Sequence, residues 1–434
     1  MKTADAAESL SYVGLRYMTS FRCIGPDCED SCCGEWAVTV DDARHEALRR
    51  TMGQTEQGRA EFCAAVEYRV EGGGRVVALL VQRPDRNCAF LGADKLCTVQ
   101  QRYGEALLPD DCALYPRSVG QLRGRVELSG NLSCPEAARL CLLAPDSTDL
   151  VPIDSGLVPR GLAHYAYADS PQDVSVAALD DIRDLARHLL ALRGRPLDER
   201  LFFLAVFLDS ASLLVGPSAG PRAHVHFAAL LQSMRRPETH EQLRDQLALA
   251  SSAGSPALFA PTVVSRVLSA MQRRTAAVRA LFGEVLGTRA AEPGSGVRRD
   301  ADGTYTFSSP EFGAAARARR AELPEAYRAR EDAIFERFSQ NHLVRLWPIW
   351  SANLRSYGVG LFARLAVARY LLRNHPDLRG AEGDQTRLDA LAVRVVYTTS
   401  RVLDHEGTIL RGLSESLVES GQDTLANALS LLQF

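Results

Sequence analysis

The sequence predicts a mainly α-helical protein with a small cysteine-rich α+β domain at its N-terminal end that binds metal, and no Rossmann fold. Three observations predict it. All ten cysteines of the 434-residue chain lie between Cys23 and Cys141, and the long remainder has none. From about Gly161 onward apolar residues recur at helical spacing almost to Phe434. The one GxG of interest, in YGVGLF with Gly358 and Gly360, has neither a preceding strand nor a third glycine, so it reads as helix rather than as a phosphate-cradling loop.

The composition is that of a globular protein, with 46% hydrophobic and 24% charged residues. The length predicts two or three domains. A formal net charge of -3 gives no basic excess, so nucleic acid is not an expected partner. The N-terminal stretch MKTADAAESLSYVGLRYMTS lacks the apolar core of a secretory signal. No apolar run reaches membrane-spanning length. The most apolar segment, from Leu201, contains Asp209 and reads as a buried helix. A cytoplasmic protein that does not bind membranes is therefore expected, and a reducing compartment favours metal or redox chemistry over structural disulfides.

Residues 1–150 form the expected cysteine-rich domain. WAVTVDD alternates as a short strand, YRVEGGGRVVALLV reads as two strands turning at Gly72, Gly73 and Gly74, and GRVELSG is another extended piece. ARHEALRRTM and QGRAEFCAAVEY have helical spacing. Residues 160–288 read as a helical domain, 289–304 as an exposed connector broken by Pro293, Gly294 and Gly296, and 305–434 as a helical C-terminal region.

The chemistry concentrates in FRCIGPDCEDSCCGEW, where Cys23, Cys28, Cys32 and Cys33 fall within eleven positions. RNCAFLGADKLC then places Cys88 and Cys97 on either side of a turn at Gly92, Ala93 and Asp94, which folds the two thiols toward each other. Cys112 follows in PDDCALYPRS. Cys134 precedes Pro135 at a helix start, where the positive end of the helix dipole favours a thiolate. These eight border turns or helix starts and are the expected metal ligands. They are enough for two four-thiolate sites, or for one site with spare redox thiols. Cys63 and Cys141 lie in apolar helical contexts and read as small buried hydrophobes. The gaps CxxxxC and CxxxC, the adjacent pair and the lack of any CxxC leave zinc and an iron–sulfur cluster both open. CxxxCxxC is absent, since Glu35 stands where a third cysteine would.

Glu35 and Trp36, beside the adjacent cysteines, are candidates to shape the metal's surroundings or a cofactor site. Asn341, His342, Trp347, Pro348 and Trp350 form a polar-aromatic patch with a candidate substrate or cofactor role, or else pack a helix end. The HVH pair, His224 and His226, completes no metal spacing.

The run FRCIGPDCEDSCCGEW, then CAFLGADKLC, DDCALYPR and LSCPEAAR, and later IFERFSQNHLVRLWPIW followed by LFARLAVARYLL, resembles the flagellin lysine-N-methylase (FliB) family. That family belongs to a wider group named for a CxxCxxCC zinc- or iron-chelating domain. The resemblance implies S-adenosylmethionine-dependent N-methylation of lysines on a protein, flagellin-like, or on a peptide. It also implies an iron–sulfur centre, [4Fe-4S] first and zinc as the alternative, held by the N-terminal cysteines. Two other classes stay open: a non-catalytic metal-binding or interaction protein, and an iron-dependent oxidative enzyme acting on a small metabolite.

Overall fold

The computed structural model describes residues 10–122, 124–161, 165–167, 174–215, 220, 222–253, 258–345, 354–405 and 408–434. The chain divides into two compact units: one from the N-terminal residues to Ala137 together with Leu150–Ala166, the other Ala138–Asp149 with Tyr167–Phe434. The protein is mainly helical. Among the described residues no helix is long and apolar enough to cross a membrane.

The first unit is mixed α and β. A three-stranded antiparallel sheet places Val76–Leu80 between Thr39–Val40 and Val66–Val70. The hairpin turns where the glycine run predicts, with Gly73 and Gly74 at φ of 84° and 80°, conformations that side chains resist. Helix Asp42–Met52 starts at Asp41, whose side chain accepts the Arg44 N–H, and helix Glu56–Ala65 starts at Thr55 in the same way. Their inward faces supply Leu48, Met52, Phe62 and Ala65 to a core shared with Val40 and Leu80. Cys63 does not join it. One residue past Phe62 on the helix, it is exposed, so the expectation of a buried thiol is corrected.

A five-stranded sheet also builds this region, in the order Leu150–Pro152, Ser11–Leu15, Arg125–Gly130, Arg117–Leu122, Tyr165–Tyr167. Arg125–Gly130 pairs in parallel with Ser11–Leu15 and antiparallel with Arg117–Leu122. It is buried along nearly its whole length, as a central strand covered on both faces must be.

The second unit is helical, and the segment from Leu201 is indeed buried helix, within Leu197–Val215, with Phe203 and Phe207 at 0% exposure. It packs against Leu354–Arg373. Gly358 and Gly360 lie inside that second helix, so the GxG is helical as expected. A Cβ at Gly358 would sit 3.2 Å from Leu208 Cδ1, which shows how closely the helices approach. In the stretch read as a connector, Val297–Arg299 pairs with Tyr305–Phe307 as a small hairpin. Gly296 enters it at φ 69°, where a Cβ would run into the backbone of Phe312.

This unit buries ion pairs in quantity. Arg373 grips Glu331 with two nitrogens, at 2.9 and 2.7 Å. Arg369 reaches Asp198 at 2.8 Å, and Arg200 reaches Glu336 at 2.7 Å. Helix Glu325–Arg345 is buried without interruption from Ile334 to Arg345 despite its polar sequence. Several of its polar groups are hydrogen-bonded: Arg337 donates to the Leu142 carbonyl at 2.6 Å and Gln340 to that of Arg187 at 2.9 Å.

Candidate metal centre

Five of the eight predicted ligands converge. Cys32, Cys33, Cys88, Cys97 and Cys112 line one cavity of about 80 Å³ in the first unit, with Trp36 and Tyr115 beside them. The convergence is built by short backbone contacts between loops. The Cys88 N–H donates to the Cys33 carbonyl at 2.7 Å, and the Glu35 N–H to that of Arg86 at 2.8 Å, which ties the adjacent-cysteine loop to the loop before Cys88. The predicted turn then reverses the chain. Gly92 N–H donates to Leu96 O at 2.8 Å, and Leu91 pairs with Cys97 across it. Cys97 ends at the start of helix Thr98–Tyr103, and Cys112 sits in the short helix Asp110–Leu114. Glu35 takes a left-handed φ of 65° in the loop after the adjacent pair. That loop hands the chain to Trp36, whose indole N–H donates to the Cys32 carbonyl at 2.7 Å.

The other three predicted ligands, Cys23, Cys28 and Cys134, do not line the cavity. Cys134 feels Cys32 of the cavity and also Cys28, and Cys28 in turn feels Cys23. All ten cysteines are free thiols.

A local pattern recurs at the sulfurs. The N–H two residues on points at the sulfur of Cys23 from Gly25, at 3.4 Å, and likewise at Cys28 from Asp30, Cys88 from Phe90, Cys97 from Val99 and Cys134 from Glu136. The Ala137 N–H joins at Cys134, as the helix start predicts. Such donors favour the thiolate. Burial opposes them and wins. It pushes the Cys88, Cys97 and Cys112 thiols up, and Cys134 up to about 12. Cys33 is driven up first by its hydrogen bond with Cys32 and then by burial. These sulfurs become thiolates readily only beside a compensating cation, and none of the side chains lining the cavity is cationic.

The donor set is therefore soft sulfur, half-buried at Cys33, Cys88, Cys97 and Cys112 and exposed at Cys32, with amide N–H groups aimed at Cys88 and Cys97, and sulfur ligands of this type fit the chemistry of zinc or of an iron–sulfur cluster. Among the described residues no three His, Cys, Asp or Glu side chains come together as ligands of one metal ion. Cys141 is fully buried in the second unit, as expected of a core residue, with its thiol directed at the Arg337 carbonyl.

Asn341 and His342 belong to the second unit, at 0% and 2% exposure within Glu325–Arg345. Trp347, Pro348 and Trp350 lie outside the described residues. His342 Nδ1 donates to the Phe338 carbonyl at 3.0 Å, and its Nε2 is 3.8 Å from Asp404. Asp404 was invisible as a site residue in sequence, standing alone in VLDHEG. It is buried, but Arg345 and Arg364, each at 3.1 Å, together with His342 outweigh burial and hold its carboxyl well below the usual range. Sequence reading also passed over Tyr115 and Gln82, which line the cysteine cavity. Tyr115 had a signal, its place three residues after Cys112. His224 and His226 are exposed on helix Ala223–Ser233.

No family model matches the chain, and no solved structure does. Part of the chain is similar to named proteins. It is 28% identical over 141 residues to the flagellar biosynthetic protein FliU of Salmonella muenchen, which is 31% of this chain and 78% of FliU. It is 28% identical over 136 residues to the lysine-N-methylase of Salmonella typhimurium and over 143 residues to that of Salmonella choleraesuis, in each case 31% of this chain and 33% of the relative. The chain thus spans about a third of the length of the lysine-N-methylases it matches, and about a third of its own residues carry the likeness.

Proposed function

We propose that this chain is a protein lysine N-methyltransferase that takes its methyl group from S-adenosylmethionine and carries an iron–sulfur centre on the N-terminal cysteines. The observation that carries the reading is the similarity to proteins named lysine-N-methylase. The thiol-lined cavity supports it, since five of the expected ligands line it.

In the reaction a neutral lysine amine attacks the sulfonium methyl. The C–N bond forms as the C–S bond breaks, the bonding pair returns to sulfur, and S-adenosylhomocysteine leaves. The ammonium proton passes to a base or to water. Free lysine has a pKa of about 10.4, so presenting it neutral at pH 7 costs about 4.6 kcal/mol. An apolar setting lowers that cost by disfavouring the ammonium, and Val38, Leu48, Leu80 and Phe90 line the cavity without any acidic side chain among them. The candidate ligands for the centre are Cys32, Cys33, Cys88, Cys97 and Cys112, with Cys134, which feels Cys32, and Cys23 and Cys28 completing the eight expected from the sequence. An iron–sulfur centre held by these cysteines would supply Lewis-acid chemistry beside the methyl donor. The substrate is a lysine on a protein. Flagellin is the first candidate, because a similar protein is named for flagellar biosynthesis, and a peptide is the second.

The test is intact-mass analysis of flagellin and other lysine-bearing proteins after incubation with the anaerobically purified protein, S-adenosylmethionine and a reductant. Increments of whole methyl groups on lysine-containing fragments are expected. Methylation of free lysine as fast as of any protein, or inertness of every lysine-bearing partner, overturns the reading.

A further inference from the structure

We propose that the ring pair Trp36–Tyr115 is the wall of the cysteine cavity that receives a positively charged sulfur, so that the site distinguishes a sulfonium from the neutral thioether it becomes. The inference rests on the methyl-donor reading above and assigns it two binding residues.

Both rings line the cavity, with centroids 6.2 Å apart and planes tilted by 38°. Both are half-buried, so the pair stands where the cavity meets solvent. Each ring is fixed through its polar end. The Trp36 indole N–H donates to the Cys32 carbonyl at 2.7 Å, and the Trp36 carbonyl accepts the Gln82 amide at 2.7 Å. The Tyr115 hydroxyl shares a hydrogen bond with Ser133 at 3.0 Å. Indole and phenol rings held in this way offer their electron-rich faces without first having to be ordered.

The rest of the lining gives a cation little else. Its other side chains are thiols, aliphatic groups, Phe90, a proline and two glutamines, with no carboxylate. Attraction for a positive charge then comes from the ring faces. A thioether has no charge to be attracted, so the same wall holds the donor and lets go of the spent product. A site selective for the nucleoside part alone binds both equally.

The experiment uses the full chain purified anaerobically, with calorimetric titration of three probes: trimethylsulfonium, S-adenosylmethionine and S-adenosylhomocysteine. Trimethylsulfonium is expected to bind, and Trp36→Leu and Tyr115→Leu are each expected to weaken it about tenfold. Tyr115→Phe keeps the ring and is expected to keep the binding, which separates the wall from a folding defect. In the leucine variants S-adenosylmethionine loses its advantage over S-adenosylhomocysteine, whereas metal content stays at the wild-type level. Failure of trimethylsulfonium to bind the wild type overturns the wall, as does an unchanged preference for the sulfonium in both leucine variants. Those results leave the methyltransferase reading to its own mass-shift test. Conversely, sulfonium binding that depends on both rings, in a protein that methylates no lysine, upholds the wall and removes the enzyme.

Discussion

The helical unit and the cysteine cavity of the first unit treat their polar groups differently. In the helical unit buried charges meet their opposites inside the fold: Glu331 with Arg373, Glu336 with Arg200, Asp404 with Arg345 and Arg364. The cost of taking each ion out of water is offset by a partner already on the chain. In the cysteine unit Glu127 is likewise paired, with Arg125 at 2.7 Å, but burial raises the pKa of thiols lining the cavity, and no side chain lining that cavity is cationic. Amide N–H groups point at the sulfurs of Cys88, Cys97 and Cys134, and Arg83, which does not line the cavity, favours the Cys88 thiolate, but burial outweighs them. The contrast is that the buried carboxylates named in the helical unit have arginine partners on the chain, whereas the thiols lining the cavity have no cationic side chain among the residues that line it.

The largest effect that would sharpen this contrast comes from metal removal. Structural metals are worth on the order of 10 kcal/mol to the small domains they complete. After anaerobic chelation, amide exchange is expected to accelerate across residues 32–115, while helices Glu325–Arg345 and Leu354–Arg373 keep their protection. Equal protection in both units before and after chelation would break the comparison.

Next in size is a broken pair in the helical unit. Arg373→Met leaves Glu331 with only the more distant Arg369, at 3.9 Å, and is expected to cost about 3 kcal/mol in urea unfolding followed by circular dichroism. A loss within experimental error would mean that solvent, not Arg373, carries the Glu331 charge.

A smaller effect is set by pH. Burial lowers the His405 pKa to about 4, against an ordinary 6.5. A group whose folded pKa is depressed binds its proton more readily when unfolded. Its contribution to stability is therefore complete above the unfolded value and is lost as pH falls from about 6.5 towards 4. His405→Gln is expected to flatten that part of the stability profile of the helical unit. An unchanged slope between pH 6.5 and 4 would assign the acid sensitivity elsewhere.

Much of this was legible in sequence for physical reasons that differ by element. The glycine run at 72–74 and the turn at Gly92 were readable because left-handed or tight backbone demands such residues locally. Cys32, Cys33, Cys88, Cys97 and Cys112 line one cavity, but turns or helix starts flank Cys23, Cys28 and Cys134 just as closely, so sequence alone did not separate the two groups. The five-stranded sheet was not. Ser11–Leu15 is short and pairs with Arg125–Gly130, more than a hundred residues later, and no local pattern announces such a partner. Cys63 was misjudged because a helix period fixes which residues share a face but not which face turns inward, and Phe62 took the core. Asp404 and Tyr115 acquire their roles from neighbours distant in the chain.

The central claim, that the thiol cavity holds an iron–sulfur centre, is tested most directly by iron and acid-labile sulfide analysis of anaerobically purified wild type, Cys33→Ser and Cys63→Ser. Wild type is expected to be brown, with iron and sulfide in matching amounts and a broad visible absorbance from iron–thiolate charge transfer. Cys63→Ser, altering an exposed thiol, is expected to match it, whereas Cys33→Ser loses most of both. A colourless wild-type protein with stoichiometric zinc and no sulfide would contradict the account, as would iron that survives Cys33→Ser and disappears with Cys63→Ser.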